Sequence, residues 1–206
     1  MAAFPRAFFD VDSVELAPLL LNKLIVRGER VGRIVEVEAY AGAADPASHA
    51  FRGPTARNAT MFGPPGHLYV YFTYGMHFCA NVVCGPEGEA SAVLLRGLTP
   101  LGGLEEMRAA RGPAARLDRD LTNGPGKLCQ ALGLDRSFDG ADLVTGDRGV
   151  EVADDGTAPP SPPGVSGRIG VSVAADVRWR FYVPGAAGVS RARAAPRAGG
   201  RARPAP

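Results

Sequence analysis

Hydrophobic and polar positions alternate along this chain in several short runs, separated by clusters of Gly and Pro. Leu24-Ile25-Val26 and Gly32 to Tyr40 read as β-strands, the second by clear period-two alternation. The strongest β signal is the run from His67 to Cys84, rich in aromatic and β-branched residues. Tyr74-Gly75 interrupts it, and glycine takes the positive φ of a tight turn. The run therefore predicts two antiparallel strands joined near Tyr74 to Met76. Ala90 to Leu98, Arg168 to Val173 and Trp179 to Val183 predict further strands. Helical spacing is rarer. Asp12 or Ser13 caps a helix reaching Lys23, with Leu16, Leu19, Leu20 and Leu24 as its apolar stripe. Pro18 suits that helix only in its first turn. Leu101 to Arg111 and Lys127 to Leu132 predict two more helices. Two long segments, Ala41 to Pro65 and Ala153 to Val165, read as loops. The first carries His49, Arg52, Arg57 and Asn58, and a loop that long within a compact domain is functional or disordered. Many strands with few interleaved helices predict a mixed domain around an antiparallel sheet.

Composition supports a folded domain: 206 residues, 46% hydrophobic. The net charge of +2 is the balance of +5 after Pro184 and −3 elsewhere. Five arginines and no acid, among Ala, Gly and Pro, predict a disordered basic tail over 184–206 after a domain over 1–183. Such a tail either adds affinity for nucleic acid or is merely solvated. No apolar run approaches the ~18 residues of a membrane span, and no signal peptide is recognisable. Cys79, Cys84 and Cys129 read as buried free thiols, with no Cys-x-x-Cys for zinc.

The unusual stretch is Val35-Glu-Val-Glu-Ala-Tyr40. Strands are depleted in Glu, and a carboxylate on an inner face is costly to desolvate. Glu36, Glu38 and Tyr40 share a face, which either meets water or builds a site. Tyr69 with Tyr71, His77 with Cys79, Asn81 and Val83, and Ala92 with Leu94 and Arg96 share faces likewise. If these converge, they form a tyrosine cage for a flat polar ring. Asn81 would read its edge, Arg96 would hold a carboxylate ionised, and Glu38 would deprotonate a water. The plainer alternative is core tyrosines and a structural ion pair, with Glu36 the structural acid. Tyr74, at a hairpin tip, has the placement of a wedge that unstacks bases.

These residues carry a resemblance. Val35 to Gly42, His49, Arg57-Asn58, Met61-Phe62, Leu68 to Met76 with Asn81, Val93 to Arg96, Gly124 to Leu132 and Arg168 to Val171 are similar in order to the alkyladenine (3-methyladenine) DNA glycosylases. The resemblance spans Phe8 to Val183. It implies an α+β fold: a single mixed domain with a curved antiparallel β-sheet flanked by helices and a protruding β-hairpin. It implies an enzyme that flips damaged purines from double-stranded DNA and hydrolyses the N-glycosidic bond. The expected substrates are 3-methyladenine, 7-methylguanine, hypoxanthine and ethenoadenine. The expected product is an abasic site without strand cleavage, since no lysine is placed for a Schiff base. By motif position, Glu38 is the general base, and Arg96 and the Ile169 carbonyl hold the water. Tyr40, His49 and Tyr71 surround the base, and Asn81 opposes the amino group of guanine. Tyr74 fills the gap in the duplex. Met76, His77, Thr55, Arg57 and Lys127 contact DNA. His77 departs from a tyrosine found in the family, and a shorter loop leaves Arg52 and Thr55 as rivals for one contact. No cofactor, metal or membrane is implied. A monomer is expected, in the nucleoid-containing cytoplasm of a bacterium or the nucleus of a eukaryote.

Three other readings compete. A non-catalytic DNA-damage binding module would keep the pocket without turnover. A carbohydrate hydrolase could use Glu36 and Glu38 as paired acids. A zinc deaminase would need His-x-Glu and Pro-Cys-x-x-Cys, and both motifs are missing from the sequence.

Overall fold

A computed structural model describes residues 1–190. The architecture is α+β, built on one strongly curled antiparallel sheet. Its strands are β1 (Ala2–Ala3), β2 (Leu24–Arg27), β3 (Arg30–Tyr40), β4 (His67–Thr73), β5 (His77–Cys84), β6 (Ser91–Gly102), β7 (Ala141–Asp142), β8 (Val150–Asp154), β9 (Gly164–Ser166) and β10 (Arg180–Tyr182). The main path runs β1-β8-β2-β3-β6-β5-β4-β7, and β9 and β10 branch from β3. The long strand β3 organises this. One edge pairs with β6 along its length. Its other edge pairs first with β2, over Arg30 to Arg33, then with β10, over Glu36 to Glu38. Register shifts beside Glu36 mark the changeover. An extra residue in a strand bends it and strengthens its twist, which curls the sheet here.

Four helices cover one side: α1 (Ser13–Leu20), α2 (Leu104–Arg111), α3 (Asp118–Thr122) and α4 (Pro125–Leu132). The main core lies beneath them. Val37, Ala39, Leu68, Val70, Ala80, Val82, Val93 and Leu95 come from the sheet and Leu16, Leu20, Met107, Leu121 and Leu128 from the helices. A smaller cluster of Ala50, Met61, Tyr69, Val83, Ala90 and Ala92 forms on the opposite side of the sheet. Among the described residues no helix is long and apolar enough to cross a membrane.

Several expectations change. Asp12 caps α1 by accepting from the Val14 amide (2.7 Å), but the helix ends at Leu20. Pro18 lies inside it, and Leu19 is exposed while Ala17 is buried. β6 continues to Gly102, so α2 begins after Gly103 (φ 63°) rather than at Leu101. α4 opens at Pro125, whose missing N–H costs nothing in a first turn. α3 and β8 were not expected. The strand expected at Arg168 to Val173 is absent: Gly170 takes φ 80°, and the segment bends toward the sheet face that carries the carboxylates. The tail expected from 184 begins as packed chain, since Ser190 bonds to Glu36. Its arginines lie outside the described residues.

Candidate active site

Alternation along β3 sends Val37 and Ala39 into the main core and leaves Glu36, Glu38 and Tyr40 on the other face. That face does not meet water: both carboxylates are fully buried. Buried charge survives only where donors and opposite charges surround it. Glu36 accepts from Arg180 Nε (2.6 Å), Arg96 Nε (3.2 Å), and the Ser190 amide (2.6 Å) and hydroxyl (2.7 Å). Glycines at 97 and 188 let the chain around Ser190 close over it; a Cβ at either would strike opposing backbone. Glu36 is thus enclosed, its oxygens engaged by Arg96, Arg180 and Ser190, which argues against it as the second acid of a carbohydrate hydrolase.

Glu38 is held more lightly. Its oxygens accept from the Ile169 amide (2.7 Å), the Tyr40 hydroxyl (2.9 Å) and Arg96 Nη1 (3.4 Å). Arg96 Nε lies 3.3 Å from it, so one guanidinium serves both acids. Desolvation is the largest influence and raises the Glu38 carboxyl above its ordinary range, against the pull of Arg96 and the Ile169 amide. A raised carboxyl is a stronger proton acceptor once ionised. Identical in the sequence pattern, the two glutamates are separated by their neighbours.

A cavity of about 450 Å³ lies beside the groups that hold Glu38: Tyr40, Arg96 and Ile169 line it, while Glu38 itself is buried behind them. Tyr40, His49, Tyr71, Asn81, Arg96, Ile169 and Tyr74 all line the cavity, so seven of the sequence candidates meet there. Tyr69 and Tyr71 stack with centroids 5.4 Å apart, and His49 meets Tyr71 edge-on at 4.5 Å. Tyr69 is both core and wall, because it is 1% exposed yet lines the cavity. Its phenol is pushed up to about 12, chiefly by burial, and Tyr40 and Tyr71 are raised further by the same cause. All three stay neutral donors near neutral pH. Desolvation and then Arg57 lower the His49 imidazole, so it adds no charge to the cage. Asn81 Nδ2 donates to the Tyr69 carbonyl (3.2 Å), which fixes the amide against the wall.

The long loop carrying His49 is organised by Asn58, which is 1% exposed. Its Nδ2 donates to the carbonyls of His49 (2.9 Å) and Gly53 (3.1 Å), and its Oδ1 accepts from the Thr55 amide (2.6 Å) and hydroxyl (2.9 Å). Replacing Asn58 with Ala removes all four of these part-buried bonds. The expected cost is about 1–3 kcal/mol, read as a lower denaturation midpoint, with a loosened His49 and weaker substrate capture.

The remaining candidates surround the mouth. Tyr74 is 83% exposed at the hairpin tip, in a left-handed conformation (φ 51°) beside Gly75. Met76 and His77 are exposed next to it. The His77 ring packs over Gly126, where a Cβ would come within 3.0 Å, and so joins the hairpin to the start of α4. Lys127 is exposed and donates to Asn123 (2.7 Å). Arg57 stands 5.6 Å from the centre of the Tyr71 ring, and Arg52 and Thr55 are both exposed. Sequence reasoning missed Asp45, Arg168 as a charged group, and Arg180. Asp45 and Arg168 form a buried two-pronged pair, with Nη2 2.9 Å from Oδ1, and Arg180 holds Glu36. Only their low exposure marks them, which one sequence does not reveal.

Comparison with known proteins agrees with this geometry. The methylpurine-DNA glycosylase family matches residues 7–187. A Burkholderia lata protein is 58% identical over 185 residues, 89% of either chain. Relatives from Frankia casuarinae (47% over 196 residues; 90% of this chain, 91% of theirs) and Chlorobaculum tepidum (46% over 194; 92% and 91%) are also similar. All three carry the provisional name 3-methyladenine DNA glycosylase. The chain belongs to the methylpurine-DNA glycosylase family and is a DNA glycosylase.

Proposed function

We propose that this DNA glycosylase flips alkylated or deaminated purines out of duplex DNA and hydrolyses their N-glycosidic bond, leaving an abasic site. The supporting observation is the buried Glu38–Arg96 pair behind an aromatic cavity whose mouth carries an exposed tyrosine. The reactive carbon is shielded in a stacked duplex, so the nucleotide must leave the stack. Tyr74 enters the gap, as apolar wedges do. The base slides between Tyr40, His49 and Tyr71, and Asn81 opposes the amino group of guanine. The attacking water sits at the wall formed by Arg96 and Ile169. Glu38 takes its proton and faces the oxocarbenium-like transition state with a negative charge. The neutral His49 avoids repelling a purine made cationic by alkylation. Met76, His77, Arg57, Lys127 and either Thr55 or Arg52 contact the strands around the lesion. The binding partner is therefore double-stranded DNA containing damaged purines, and the enzyme acts as a monomer. Its DNA affinity falls steeply with salt.

The test is incubation with duplex DNA carrying one hypoxanthine. Free base should appear, with strands intact until alkali is added. Breakage without alkali would contradict the monofunctional reading. Replacing Tyr74 with Ser separates flipping from chemistry. At 83% exposure the change should alter stability by less than about 0.5 kcal/mol. Release from duplex should fall by on the order of ten- to a hundredfold, and release from single strands much less. Equal loss on both substrates would remove Tyr74 as the wedge.

A further inference from the structure

Arg168 is a buried cation that has no task in the reaction described above. It is 6% exposed, and its guanidinium lies 4.7 Å from the centre of the Tyr40 ring and 5.3 Å from that of Trp179. It pairs with Asp45 and donates to the Ala39 carbonyl (3.0 Å), yet its Nε–H is buried with no hydrogen-bond partner. Tyr40 is thereby fixed at two points, its hydroxyl on Glu38 and one ring face on Arg168, while it lines the cavity.

A cation on one face of an aromatic ring draws π density toward itself. The same ring then offers a weaker negative face to a second cation. Alkylated purines such as 7-methylguanine are cations, whereas deaminated purines such as hypoxanthine are neutral. We propose that Arg168 is a specificity-determining residue. Its buried charge behind Tyr40 weakens the preference of the cage for cationic bases and so brings neutral lesions within range. This rests on the proposed stacking of the flipped base against Tyr40. Arg57, over Tyr71 at 5.6 Å, acts in the same direction but is exposed to solvent and screened.

The test is the ratio of single-turnover release of 7-methylguanine to that of hypoxanthine, from duplexes of the same sequence. A ratio taken on one enzyme preparation is independent of how much of it is folded. The variant is Arg168→Gln combined with Asp45→Asn, which removes both buried charges together and leaves neither unpaired. The ratio should rise by roughly three- to tenfold. Should that variant fail to fold, Arg168→Met combined with Asp45→Leu replaces the ion pair by apolar side chains, and it should move the ratio the same way. A ratio that changes by less than about twofold, or shifts toward hypoxanthine, overturns the proposal even if both rates fall. Release of neither lesion by the wild type overturns the proposed function, and this proposal with it.

Discussion

Replacing Arg96 with Met should cost the fold about 3–5 kcal/mol and abolish base release. Among the described residues Arg96 is the one cation that touches both Glu36 and Glu38, with Nε 3.2 Å from one and 3.3 Å from the other. Its side chain is 8% exposed and both acids are fully covered, so water cannot replace it. Methionine fills the space but leaves Glu38 with only neutral donors, Tyr40 and the Ile169 amide. Glu36 would keep Arg180. Glu38 would then bind a proton at neutral pH and cease to be a base. Denaturant titration should give a lower midpoint. Adding Glu38→Gln to the variant should recover part of the stability and none of the activity.

Replacing Glu38 with Gln should lower base release by about 10²–10⁴-fold while the protein stays folded. The amide oxygen still accepts from the Ile169 amide, and the charge that burial penalises is gone. The sign can be followed with pH. Desolvation raises the folded-state carboxyl above its unfolded value. Its contribution to stability is therefore fully present below the unfolded value and is lost as pH rises through the folded one. Activity runs the opposite way, because only the ionised form accepts a proton: wild-type release should fall as pH drops through the raised value. Stability and activity thus respond to this one group in opposite directions. A single-turnover pH profile alongside denaturation at the same pH values checks both signs.

Much of this arrangement is legible in the sequence because it rests on period-two alternation. A strand that places Glu36, Glu38 and Tyr40 on one face and Val37 and Ala39 on the other has few ways to pack. The hairpin is legible for a similar reason, since Tyr74-Gly75 breaks an otherwise continuous β run. Face sharing brings Tyr69, Tyr71, Asn81 and Arg96 toward the acids without any knowledge of strand order. Three kinds of feature are not legible. Short elements such as α3 and β8 carry too few residues to show a period. The segment from Arg168 to Val173 has β-like residues but bends at Gly170, because it forms cavity wall instead of sheet. The charge pairs Asp45–Arg168 and Glu36–Arg180 join residues more than a hundred positions apart, and nothing local announces them. Those pairs enclose Glu36 and set Arg168 against Tyr40 in the cavity wall.

The most direct measurement follows base release and duplex affinity together, for wild type and Glu38→Gln, on DNA with a single 7-methylguanine or hypoxanthine. Wild type should release at least one of these bases and leave an alkali-labile site. Glu38→Gln should bind the same duplex about as tightly and release almost nothing. A wild-type protein that binds the lesion without releasing it, or a Glu38→Gln variant that releases base at the wild-type rate, would contradict the account.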